Sequence, residues 1–286
     1  MKNLPVPVFA IICAFLSLGV ITISSPFLKN QKIYQAGLFA PTATTIPTAI
    51  PSPTPTPIDS IKIPILMYHY VEYVQDSKDI IRKRLDINPA LFDTQLKAFK
   101  SAGYETYFVK DMPSILSGKL VPAPHRLALT FDDGYEDFYK VAFPILKKYN
   151  MKSTFYIVND FVGRKGFVTE SEIKELIDSG LVEIGAHTLD HIYLKQAPKS
   201  VIEKQIIDSK KGLEDKFNIK VETFAYPYGA YNDEAVSVVK DTEFTAAVST
   251  NTGQTQSTKN LFTLNRIRPG ALVGPNMIKI LENWKN

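Results

Sequence analysis

From Asp59 onward the chain alternates short β-rich runs with amphipathic helical stretches, and this alternation limits the possible folds more than any other feature of the sequence. Strands are expected over residues 63–71, 104–109, 126–131, 153–158, 182–187, 223–226, 245–249 and 263–268. Between them, Asn88 caps a helix with Pro89 in its first turn and Phe92, Leu96 and Phe99 on one face. Short and long helices are expected over 111–117, 136–149 and 199–217, with Pro144 bending the second. Thr169-Glu170-Ser171-Glu172 is a capping box that opens another helix. Repeated β–α units favour a parallel sheet, either open or closed as a barrel.

The N-terminal part has a different character. Residues 4–28 are apolar and uncharged between Lys2 and Lys29, long enough to span a bilayer. The expectation is a membrane anchor over residues 1–30, with a cleaved signal segment as the alternative. Residues 31–58 form a Pro/Thr-rich linker, whose span 41–58 holds six prolines, six threonines and no charge. Such a segment is extended, reaching roughly 50 Å at ~3 Å per residue. The folded domain is then 59–286, held outside the cytoplasm at the cell membrane, or secreted if the leader is cleaved.

Composition excludes several classes. The net charge is +4, but Lys2, Lys29 and Lys32 lie ahead of the domain, which keeps 30 basic against 29 acidic residues. A nucleic-acid partner is not expected of such a neutral domain. The single cysteine, Cys13, lies in the apolar run, so an internal disulfide and a Cys-based zinc site are both excluded.

Polar residues fall at the carboxyl ends of the expected strands. Asp132, Asp133, His187 and Tyr228 all sit there, on what would be the active-site face of a β/α barrel. Asp132-Asp133-Gly134 taken alone reads equally as a tight turn. His187 and His191, four apart, can aim two imidazoles at one point from a helix or a tight turn. Together the two motifs supply carboxylates and imidazoles suited to a divalent ion, most simply zinc, with a position open for water. His125 precedes its strand and would lie at the opposite end of a barrel.

Thr130-Phe131-Asp132-Asp133-Gly134 followed by His187-Thr188-Leu189-Asp190-His191 resembles the NodB-homology domain of the family-4 carbohydrate esterases. The resemblance spans Ile63 to about Arg268 and implies a distorted, incomplete (β/α) barrel with a parallel strand core. It also implies a polysaccharide deacetylase, with Asp132 as general base and Asp133, His187 and His191 as metal ligands. A third motif of the family is represented by Tyr226-Pro227-Tyr228-Gly229, in which Pro227 and Tyr228 match; the Tyr228 backbone N–H would help hold an oxyanion and Pro227 would belong to the substrate-orienting residues. Ala225 stands where the family has a base-orienting arginine. Arg266 or Arg268 could replace it, and a salt-bridge or surface role fits them equally. No histidine occurs in 264–268, whereas Met67-Tyr68-His69 resembles the permuted poly-N-acetylglucosamine deacetylases, which makes His69 the expected general acid.

The substrate class implied is an acetylated polysaccharide, with poly-N-acetylglucosamine, peptidoglycan and chitin-like chains all open. Tyr228, Tyr231, Tyr135 and Phe161 are candidates to stack on sugar rings. An O-acetyl esterase of the xylan type and a non-catalytic polysaccharide-binding pseudoenzyme are the alternative functions.

Overall fold

The computed structural model describes residues 58–76, 78–270 and 274–283. Except for Ile58, the segments expected to be anchor and linker lie outside these residues. Among the described residues no helix is long and apolar enough to cross a membrane.

Seven parallel strands form a nearly closed barrel: β1 (Ile65–Tyr68), β2 (Arg126–Phe131), β3 (Ser153–Ile157), β4 (Val182–Ala186), β5 (Thr223–Ala225), β6 (Ala246–Thr252) and β7 (Leu264–Arg266). They neighbour one another in sequence order. Just past β7, Ile267 bridges Leu66 of β1, with Met67 N–H donating to the Ile267 carbonyl at 2.9 Å and Ile267 N–H to the Ile65 carbonyl at 2.8 Å. The expected distorted, incomplete barrel is therefore present with one strand fewer than the usual eight. Glu105–Tyr107 pairs in parallel with the first half of β2, outside the ring.

The strands are short and buried on both faces, because helices cover one side and packed side chains fill the other. Period-two alternation sorts their residues into two shells. Ile65, Ala128, Tyr156, Ala225, Val248 and Leu264 form the interior cluster. Leu66, Leu127, Leu129, Phe155, Ile184 and Phe224 pack outward in the larger cluster that includes Phe92, Leu96 and Phe99 of the helix Pro89–Ser101. That helix begins as its sequence requires, with the Asn88 side chain accepting from Leu91 N–H. The Thr169 capping box opens the helix Glu170–Asp178 in the same way.

Three local expectations are corrected. The strand expected over 63–71 breaks at His69 into Ile65–Tyr68 and Tyr70–Val71, and the second piece pairs instead with Asp86–Ile87. The helix expected over 136–149 opens as one wide turn, Phe138–Ala142, in which Phe143 N–H reaches back to the Phe138 carbonyl. Widening there accommodates Pro144, which has no N–H and whose ring crowds the preceding turn. The helices Ile80–Leu85, Asp233–Asp241 and Gly274–Asn283 were not anticipated; the first is only six residues long and buries none of them.

Candidate active site and metal centre

The alternation that sorts the core also builds the site. His69 lies four residues past Ile65, Asp132 four past Ala128, and Arg266 two past Leu264, so all three continue inward-facing rows to the rim of the barrel. Gly185 belongs to the same pattern: a Cβ there would sit 2.4 Å from the Tyr156 ring, and His187 follows two residues later.

Asp133 breaks the alternation. A continuing strand would turn it away from Asp132, but its φ of +76° and the +83° of Gly134 twist the chain so that both carboxylates serve the rim. Thr188, His191 and Tyr228 also have positive φ, at 66°, 62° and 60°. Such backbone is unfavourable for residues other than glycine and gathers where geometry is enforced by function.

His187 and His191 are presented by a turn rather than a helix. The Thr188 hydroxyl accepts from His191 N–H at 3.0 Å, and the buried Gln205 side chain accepts from Leu189 N–H at 3.0 Å. The two imidazoles then converge on one oxygen: Asp133 Oδ1 is 3.3 Å from His187 Nε2 and 3.1 Å from His191 Nε2. The His187 Nδ1 lies 2.6 Å from the Ala225 carbonyl. A carbonyl only accepts, so Nδ1 carries the proton and Nε2 of the neutral ring presents a lone pair. Asp133 Oδ1 is buried with no hydrogen-bond donor. An oxygen and imidazole nitrogens converging in this way repel one another unless a cation lies among them. The ligand atoms of all three residues fall within 4.8 Å of one another, which fits a divalent ion.

Arg266, rather than a side chain at position 225, meets Asp132. It is 1% exposed, and its guanidinium forks onto both oxygens of Asp132 at 2.7 Å each. Its remaining donors reach the Thr130 hydroxyl at 3.1 Å and the Ser249 carbonyl at 2.8 Å. Burial pushes the Asp132 carboxyl up, but Arg266 outweighs it and keeps the pKa below the ordinary value. Asp132 is thereby held ionised and in a single orientation. At Ala225 the backbone carbonyl is used instead of a side chain, to orient His187.

A cavity of about 100 Å³ lies over these groups, lined by His69, Asp132, Asp133, His187, His191 and Tyr228 among others. Burial lowers the His69 pKa against the opposing pull of Asp132 and Asp133. Tyr228 sits in the turn that begins at Pro227, and its ring meets His191 edge-on at 4.6 Å while remaining 64% exposed. Tyr193, not singled out in the sequence, is 46% exposed with its ring 6.1 Å from that of Tyr228. Of the other stacking candidates, Tyr231 packs against Tyr226 and Phe161 against Phe167, while Tyr135, stacked between Tyr70 and Phe167, turns its side chain to Asp133. His125 packs on Tyr104 at the opposite end of the barrel, as expected.

Comparison with known proteins gives a consistent assignment. The polysaccharide deacetylase family profile matches residues 120–247. The Bacillus subtilis (strain 168) protein YxkH, described as belonging to the polysaccharide deacetylases, is 32% identical over 216 residues, covering 76% of this chain and 73% of YxkH. The poly-beta-1,6-N-acetyl-D-glucosamine N-deacetylase of Staphylococcus aureus (strain MSSA476) is 31% identical over 186 residues, covering 60% of this chain; the chain spans 63% of that enzyme's length. Among solved structures, the Streptococcus pyogenes deacetylase PplD in complex with acetate superimposes with a TM-score of 0.71 at 33% identity, covering 79% of this chain and 99% of PplD. The chain belongs to the polysaccharide deacetylase family of hydrolases.

Proposed function

We propose that the protein removes N-acetyl groups from an N-acetylglucosamine-containing polysaccharide in a metal-dependent hydrolysis. The observation that carries this reading is the acceptor-only cluster of Asp133, His187 and His191 beside an ionised Asp132 held by Arg266. The similarity to the staphylococcal poly-N-acetylglucosamine enzyme supports that class of polymer.

An amide resists hydrolysis because its carbon is a poor electrophile and its amine a poor leaving group. A divalent ion, zinc by preference, bound by Asp133, His187 and His191 would supply Lewis-acid polarisation and acidification of water. Asp132 accepts the proton of the attacking water, and Arg266 keeps its carboxylate oriented for that transfer. The Tyr228 backbone N–H donates to the oxyanion formed on the acetyl group. His69 delivers a proton to the departing amine, giving a free glucosamine nitrogen and acetate.

The apolar residues 4–28 and the linker to residue 58 support an extracytoplasmic site tethered at the cell membrane. Acetate release from N-acetylglucosamine oligomers, lost on chelation and regained with zinc, is the direct test. Asp132→Asn should abolish turnover while zinc content stays at the wild-type level; near-normal turnover in that variant removes Asp132 from the role of base. Acetate from acetylxylan alone would redirect the assignment to an O-acetyl esterase.

A further inference from the structure

A second cavity of about 120 Å³ adjoins the catalytic one and shares His69, Leu85 and Arg268 with it. Arg84 and Asp86 add to its polar wall. Arg84 lies in the last turn of the short helix Ile80–Leu85, and Arg268 comes from the segment that closes the barrel after β7. Where Arg266 turns inward to Asp132, Arg268 stands two residues further out, beyond the rim.

The chain has six arginines, and four are committed. Arg82 pairs with Glu72, Arg126 donates to the Lys62 and Ala123 carbonyls, Arg164 lies over Phe161, and Arg266 grips Asp132. The remaining two, Arg84 and Arg268, have neither a carboxylate partner nor a hydrogen bond among the described residues, and both line this cleft. The acid beside them is turned to the backbone: Asp86 Oδ1 accepts from Glu72 N–H at 3.2 Å, and among the described residues it forms no ion pair with either arginine. Both guanidiniums line one cleft next to the catalytic groups, and a guanidinium is the side chain best matched to carboxylate and phosphate oxygens.

We propose that this cleft is a subsite for an anionic substituent of the glycan, a carboxylate or a phosphate, carried near the N-acetyl group to be removed. The inference rests on the deacetylase reading above and sharpens it: the preferred substrate is an acidic glycan rather than a neutral homopolymer.

The test uses three N-acetylglucosamine-based oligomers of equal length: one neutral, one with carboxylate-bearing ether substituents, one with phosphate substituents. With the zinc-loaded protein, kcat/KM for one of the anionic oligomers should exceed that for the neutral one by about tenfold, and added salt should erode the preference. The carboxylate and phosphate arms tell the two anions apart. Arg84→Gln and Arg268→Gln should each reduce the preference about fivefold, through KM rather than kcat. Lys119→Gln, which removes one charge outside the cleft, serves as the control for net charge and should leave the preference as it was. Equal kcat/KM on all three oligomers, or a preference that survives both arginine substitutions, overturns the inference while leaving the deacetylase reading intact. Absence of acetate from all three oligomers overturns the deacetylase reading and takes this inference with it.

Discussion

Replacing Arg266 by Met removes the buried partner of Asp132 at nearly constant volume. In the native protein Asp132 is 3% exposed and Arg266 1%, so neither charge is relieved by water when the other is lost. Breaking a buried, forked ion pair from one side costs about 3–5 kcal/mol. For a domain of this size each kcal/mol lowers Tm by roughly 2–4 °C, so Arg266→Met should melt about 6–20 °C below the wild type. Without the guanidinium, burial dominates at Asp132 and its carboxyl takes up a proton more readily. Base strength and orientation then suffer together, and kcat should fall about 10²–10⁴-fold. The double substitution Asp132→Asn with Arg266→Met leaves no charge uncompensated. It should recover most of the lost Tm while remaining inactive, giving a coupling energy of a few kcal/mol. Calorimetry on the four proteins, with acetate release and zinc content measured in parallel, decides the matter. An Arg266→Met protein that melts within a degree or two of the wild type and turns over normally refutes the argument that Arg266 holds the base.

Other consequences of the geometry can be measured separately. Glu183 is buried inside the barrel, accepting from Thr154 Oγ1 at 2.6 Å and Thr223 Oγ1 at 2.7 Å, and burial pushes its pKa up to about 7. Because an acid with a raised folded pKa favours the protonated state, its stabilising contribution declines as pH climbs from about 4.5 to about 7. Glu183→Gln should therefore raise Tm at pH 8, by up to on the order of 3 kcal/mol of stability, and change little at pH 5; an equal shift at both pH values contradicts this. His69→Gln should lower kcat about 10²–10⁴-fold with zinc content unchanged, and a variant that keeps kcat rules His69 out as the acid. Gly229, at φ +67°, has no room for a Cβ, which would fall 1.9 Å from Thr250 Oγ1. Gly229→Ala should cost about 1–3 kcal/mol in chemical denaturation and reduce kcat by displacing Tyr228; wild-type behaviour in both assays would show that the turn tolerates the shift.

Much of this protein was legible in its sequence because the informative features are local. Strand and helix periods, the Asn88 and Thr169 caps, and polar residues at strand ends all act within a few residues of themselves. They sufficed to expect a parallel sheet, open or closed as a barrel, and to place Asp132, Asp133, His187 and Tyr228 at the carboxyl ends of its strands; the barrel itself was implied by the family resemblance. The broken strand at His69 and the wide turn before Pro144 were not legible, since both depend on what packs alongside. The helix Ile80–Leu85 has no buried face and so left no periodic trace.

What only the tertiary structure decided is which distant groups meet. Arg266 lies on the last strand and Asp132 just past the end of the second, and they pair because the segment after β7 closes against β1 and directs inward residues to a common axis. From the sequence, Ala225 looked like the loss of a base-orienting residue. Its carbonyl instead fixes the protonated nitrogen of His187, while the guanidinium arrives from across the barrel. The same closure leaves Arg268 beyond the rim with its charge unmatched. Sequence spacing carries periodicity along each strand, whereas partner choice across the barrel depends on closure, twist and side-chain reach, which exist only once the strands have assembled.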